Sequence, residues 1–196
     1  MQIIPTVFEK DLAAAQNRIF KIGNTSQFVQ IDISDNVFTP GKSFELELLN
    51  KIESASKLWH IHLMVKEPLK WINKSLFVHA SRIIGQVEMM SNRSKFIYQA
   101  QDSGLEAGLA FDIDTPVDNI PPTTDMLLLM GRRAGFPRTN LDPQVLTKIK
   151  QAQDLGFPLA LDGGVDPSNF SQILQLGIDV LYSGQYYFDL INAKSH

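Results

Sequence analysis

The chain has 196 residues, a formal charge of −3, 44% apolar residues and 20% charged ones. That size and mix suit a single domain with one sizeable core and argue against disorder and coiled coil. There is no cysteine, which excludes disulfides, thiolate metal sites and a cysteine nucleophile, and the lack of any basic run or stripe argues against nucleic acid as a partner.

The start, MQIIPTVFEKD, lacks the charged lead and long apolar run of a signal peptide. No apolar stretch reaches the roughly 18 residues of a membrane span. The expectation is a cytoplasmic protein without membrane contact.

Taken in chain order, short apolar runs alternate with longer amphipathic stretches. Gln2–Val7 reads as a strand, and Asp11–Ile22 as a helix stopped at Gly23. Phe28–Ile33 is the second strand candidate, and Phe44–Ala55 repeats the helical pattern. Leu58–Met64 and Leu76–His79 are the third and fourth strands, with Arg82–Ser103 long enough for a generous helix. Glu106–Phe111 and Met126–Met130 follow, joined only by Asp112–Asp125, whose Pro116, Pro121 and Pro122 leave room for a turn or two. Asp142-Pro143 and Asp166-Pro167 read as helix caps followed by a first-turn proline, with ends near Gly156 and Gly177. Pro158–Asp162 and Val180–Ser183 complete the strands, and Tyr186–Ala193 is the closing helix. Several strands are continuous apolar runs, as strands buried on both faces are. Alternation of this kind fits an open doubly wound sheet or a closed (β/α)₈ barrel.

The strand ends carry the chemistry. The second strand ends in VQIDISDNVFTP, the third in HIHLMVKEP, the fifth in GLAFDIDTP, the seventh in LALDGGVDP and the eighth in LYSGQYYF. In this order and spacing, from Ile3 to about Phe188, they resemble the ribulose-phosphate 3-epimerase family of the ribulose-phosphate-binding barrels. That family has H-x-D-x-M-D-G-H-F-V-P on strand two, D-x-H-L-M on strand three, V-D-G-G on strand seven and S-G-S on strand eight.

The resemblance implies one α/β domain over residues 1–196, a (β/α)₈ TIM barrel with its fifth outer helix reduced to a turn. Such a barrel typically takes about 250 residues and runs down to roughly 200, so this one is trimmed. Asp32 and Asp162 match the catalytic aspartates, and His62 a metal-ligand histidine. With Gln30 as a fourth donor through its amide oxygen, these residues would hold a weakly bound divalent ion such as Zn, Mn or Fe. Gly163, Gly164 and Gly184 match backbone phosphate contacts; Gln185, at the position of a phosphate-touching serine, and Arg138 of the preceding loop are expected to join them; Thr6, Met64, Met130 and His79 would line the substrate. The expected partner is a small phosphorylated sugar, and the expected assembly a homo-oligomer.

The chemistry suits these residue types. Epimerisation beside a carbonyl needs a base on one face of the carbon and an acid on the other, and a divalent ion stabilises the enediolate between the two proton transfers. Departures from the pattern are equally specific. Gln30 stands where the family has histidine, Ser34-Asp35-Asn36-Val37 replaces Met-Asp-Gly-His, and Gln185 replaces a serine. The loop P-G-F-G-G-Q becomes Ala134-Gly135-Phe136-Pro137-Arg138-Thr139. His60 lies where the family has an acid; it reads as a supporting hydrogen-bonding residue, and Asp35 as a turn residue. Arg132, Arg133 and Arg138 are either a solvated loop face or replacement phosphate partners. Two function classes stay open: 3-epimerisation of a ketopentose phosphate, and an altered barrel that binds a sugar phosphate or a partner without turnover. A decarboxylase of the same superfamily is disfavoured, because Asp32-Ile33-Ser34-Asp35 lacks the lysine of D-x-K-x-x-D.

Overall fold

A computed structural model describes residues 1–52, 57–136 and 140–194. The strands are β1 (Gln2–Val7), β2 (Phe28–Ser34), β3 (Leu58–Met64), β4 (Ala80–Gln86), β5 (Glu106–Phe111), β6 (Met126–Met130), β7 (Leu159–Asp162) and β8 (Val180–Ser183). All neighbours pair in parallel, and β1 pairs with β8 to close the barrel. The helices are α1 (Leu12–Ile22), α2 (Ile72–Phe77), α3 (Arg93–Asp102), α4 (Gln144–Gln153), α5 (Phe170–Leu174) and α6 (Tyr187–Lys194). Among the described residues, none is long and apolar enough to cross a membrane.

Strand alternation splits the core in two. One set of side chains faces the outer layer, with Ile31, Ile61, Leu109 and Leu161 meeting Ile19, Phe96, Ile149 and Ile173 from the helices. The other fills the barrel interior with Ile4, Ile84, Leu128, Val180 and Tyr182. At the N-terminal end of β4 and β5 the interior turns polar. Arg82 pairs with Glu106 and donates to the Tyr182 hydroxyl, which also bonds His60 Nδ1 at 2.8 Å. His60 is therefore a supporting hydrogen-bonding residue. Burial, reinforced by the Arg82 charge, pushes its pKa down to about 3 and keeps it neutral.

Asp11 caps α1 by accepting from Ala14 N at 2.9 Å. Three sequence expectations fail. The fourth strand is Ala80–Gln86, not Leu76–His79. Leu76 and Phe77 finish α2, and His79 sits in a left-handed turn at φ 57. The long helix over Arg82–Ser103 starts only at Arg93, capped by Asn92. Arg82 and Gln86, four residues apart, mimic a helical face but point into the barrel as same-side residues of β4. The expected helix over Phe44–Ala55 is a 3₁₀ segment, Leu46–Lys51, with the end of that range outside the described residues.

The connection from β5 to β6 contains no helix, as its prolines predict. A lysine fills in. Lys148 on α4 is only 7% exposed, and its ammonium donates to the carbonyls of Asp112 and Ile113. Glu88 accepts from Asp112 N at 2.8 Å on the other side. Lys148→Ala should leave two buried carbonyls without a charged donor and lower unfolding free energy by about 2 kcal/mol. Lys150→Ala, on the exposed face of α4, should stay within about 0.5 kcal/mol of wild type. Urea unfolding of both variants checks this.

Candidate active site

The register of β2 and β3 places Asp32 beside His62, and Gln30 beside His60. Residues 30, 32, 60 and 62 share one parity and face inward. Asp162, last in β7, reaches the same level from across the barrel and pairs in register with Met130 and Tyr182.

The four polar groups meet in one cluster. His62 Nδ1 lies 3.1 Å from Asp32 Oδ1 and 3.6 Å from Asp162 Oδ2. Gln30 Nε2 donates to Asp32 Oδ1 at 2.9 Å and to Asp162 Oδ2 at 2.5 Å. Gln30 and His62 are fully buried, and Asp32 and Asp162 just break the surface at 7% and 6% exposure. Gln30 thus reaches the centre with its nitrogen, not with the oxygen expected of a metal donor.

Charge in so dry a place moves pKa values. Burial raises Asp32 to about 6, the facing Asp162 charge adds to the rise, and His62 and Gln30 partly offset it. His62 goes the other way. Burial pulls it down, but the hydrogen bonds and charges of Asp162 and Asp32 prevail and push it up to about 9. A carboxyl that holds a proton near neutrality beside a second carboxylate is the arrangement acid–base chemistry needs.

The same cluster suits a divalent ion. One ligand atom each from Asp32, His62 and Asp162 lie within 4.8 Å of one another. Gln30 Oε1 and His62 Nε2 are buried with no hydrogen-bond partner. Two carboxylates and an imidazole are a donor set for Zn²⁺, Mn²⁺ or Fe²⁺.

Above the cluster a cleft of about 1240 Å³ opens at the C-terminal rim. It is lined by Thr6, Asp32, Met64, Met130, Asp162, Gly163, Gly164, Gly184 and Gln185, with Arg18 and Arg132 at its edges. The turn after β7 demands glycine. Gly163 has φ 86, and a Cβ there would lie 2.8 Å from Arg132 Nε. A Cβ on Gly131 would fall 2.1 Å from the Gly163 carbonyl oxygen. The Arg132 side chain therefore lies across the glycine turn, and Arg18 of α1 donates to the Gly184 carbonyl.

Not every expected residue arrives. His79 is exposed in the turn before β4, at the opposite end of the barrel from the cleft, because the chain there leaves α2 in a left-handed bend. It lines no part of the cleft. Arg138 lies outside the described residues. Asp35 holds a turn, accepting from Val37 N at 3.0 Å and Lys66 N at 2.8 Å. Two residues escaped the sequence reading. Arg18 looks like any solvated helix residue, and nothing in its neighbourhood signals a cleft. Gln86 is fully buried with both amide atoms unpartnered, and a correctly placed fourth strand would have pointed it inward.

A profile of the Ribulose-phosphate 3 epimerase family matches residues 2–188. The chain belongs to this family. It is 28% identical over 207 aligned positions to ribulose-phosphate 3-epimerase of Chlamydia muridarum, covering 98% of this chain and 91% of that protein. The Escherichia coli ribulose-phosphate 3-epimerase is 26% identical, again covering 98% and 91%. Among solved structures, phosphoribosyl anthranilate isomerase from Thermus thermophilus superposes with TM-score 0.69 at 15% identity, covering 94% of this chain and 87% of that one. A tryptophan synthase α-subunit variant from Pyrococcus furiosus reaches TM-score 0.72 at 12% identity, covering 98% and 91%. These two likenesses concern the barrel fold alone.

Gly131→Ala should drive its methyl into the Gly163 carbonyl and displace the glycine turn. The expected cost is about 3 kcal/mol of stability, read by urea unfolding. Gly156→Ala is the contrast: a Cβ there meets nothing within 4 Å, although φ is 76, so it should cost less, about 1–2 kcal/mol from the left-handed backbone alone.

Proposed function

We propose that this member of the epimerase family interconverts D-ribulose 5-phosphate and D-xylulose 5-phosphate with a divalent ion. The observation that carries the reading is the buried pair Asp32 and Asp162, brought from β2 and β7 to the floor of one cleft around His62. One carboxylate removes the C3 proton and the other returns a proton to the opposite face of that carbon. The carbon inverts, the pair keeps its total proton count, and exchange with solvent resets it. His62 stays hydrogen-bonded to Asp32 and holds its carboxyl in place.

Asp32, His62 and Asp162 would hold the ion, which supplies charge stabilisation to the substrate oxygens as the C3 proton leaves. Met64 and Met130 give the sugar two apolar surfaces in the cleft. Its phosphate would rest on the Gly163, Gly164 and Gly184 backbone, with Gln185 beside it. Arg132 and Arg18 bring positive charge to that spot.

A barrel that binds a sugar phosphate without turnover is the second reading. It is favoured by the Gln30 amide N–H groups, which point at the carboxylates where an imidazole ligand would stand in the family pattern.

Solvent exchange decides between them. Wild type in D₂O with Mn²⁺ should incorporate deuterium at C3 of ribulose 5-phosphate. Asp162→Asn should cut the rate by at least about 10³-fold, in the range of losing an essential acid–base group. Sugar-phosphate binding without any exchange would leave the second reading standing. Arg132→Ala should raise KM by about tenfold and change kcat much less, as loss of uniform binding does.

A further inference from the structure

The orientation of Gln30 has consequences for ion binding. Its amide nitrogen carries two hydrogens, and each goes to a different carboxylate: Asp32 at 2.9 Å and Asp162 at 2.5 Å. Its oxygen is buried and has no partner. The residue is fully buried on β2.

We propose that Gln30 is a positioning residue that stands in for a cation: its amide N–H pair bridges Asp32 and Asp162 in the ion-free protein and competes with a divalent ion for them. The proposal rests on the reading that Asp32, His62 and Asp162 hold the ion.

Two facing carboxylates in a buried site repel one another unless something positive lies between them. An ion does this with charge; in the ion-free protein the His62 imidazole, 3.1 Å from Asp32 and 3.6 Å from Asp162, and the Gln30 amide share the task. The amide does it with two charge-assisted N–H···O bonds, which are about twice as strong as neutral ones. Turning the amide over would aim its oxygen lone pairs at both carboxylates, so the ion-free protein favours the nitrogen. An ion reverses that preference, because N–H dipoles pointing at a cation are repelled by it. Uptake therefore has to break both bonds, and the affinity falls by what they contribute. The unpartnered Gln30 oxygen fits this assignment: the residue gives up one hydrogen bond on one side to make two with its nitrogen on the other.

A ligand role and a competing role give opposite signs when the side chain loses its amide. Gln30→Met keeps the length and removes both donor and acceptor. After EDTA treatment the Met variant should unfold about 4 °C below wild type, because the carboxylates lose their bridge. It should bind Mn²⁺ about tenfold more tightly, read by the free-ion electron paramagnetic resonance signal, and gain more thermal stability from Mn²⁺ than wild type does. Weaker Mn²⁺ binding by the variant would overturn the proposal and make Gln30 a ligand. Unchanged melting temperature and affinity would overturn it too. If the Met variant fails to fold, Gln30→Leu, which also removes donor and acceptor and brings no ligand of its own, should show the same two signs. Mn²⁺ binding by none of these proteins would overturn the competition, and solvent exchange at C3, measured separately, tells whether the epimerase reading falls with it.

Discussion

The structure turns on the burial of two carboxylates, Asp32 and Asp162, close enough that the Asp162 charge raises the cost of ionising Asp32. A pair like this is costly to fold around. Barrel closure allows it: β2 and β7 are separated by β1 and β8 along the wall, yet their inward residues meet across the interior. The Asp32–His62 register then places an imidazole against both carboxylates, and Gln30, two residues earlier on the same strand, supplies the remaining donor. A slip of one residue in β2 would turn Gln30 and Asp32 toward the helices and Ile31 toward the cleft. Strand register therefore assembles the buried cluster.

The barrel interior solves a different problem at each end. At the C-terminal mouth negative charge gathers around His62. Toward the N-terminal end an arginine, Arg82, is held by Glu106 and the Tyr182 hydroxyl. His60 lies between the two zones and stays neutral, because burial and Arg82 both oppose its protonation. His60 and His62 are two residues apart on one strand, yet burial lowers the first and the carboxylates raise the second. Neighbouring charge, not residue type, sets the state of each.

What was legible in the sequence follows from the same physics. Seven of the eight strands lay where the apolar-rich runs place them, several of these unbroken, because a parallel barrel buries both faces of its strands. The exception, β4, carries inward polar residues at 82 and 86 and a glycine at 85 packed under Phe96, so its pattern resembled an amphipathic helix. His79 was drawn into the site by that misplacement. The aspartates, His62 and the glycine turn were legible because they sit at strand ends in a specific order. Arg18 was not, since its contact with Gly184 spans most of the chain length. Nor was the direction of the Gln30 amide, which depends on a carboxylate 132 residues away.

The glycine turn shows how a backbone requirement and a charge requirement become one. Gly163 needs its positive φ to bend the chain out of β7, and the space where a side chain would stand is taken by Arg132. Any residue with a Cβ at 163 would strain the turn and displace the arginine together. Gly131, beneath, lets that turn settle against the end of β6, where its N–H donates to Asp162 O at 2.7 Å. The peptide that carries the buried Asp162 carboxylate is thus fixed by the same packing that brings Arg132 over the cleft. Displacing either glycine would disturb the Asp162 carboxylate and the Arg132 side chain at once, which ties the geometry of the rim to that of the buried cluster.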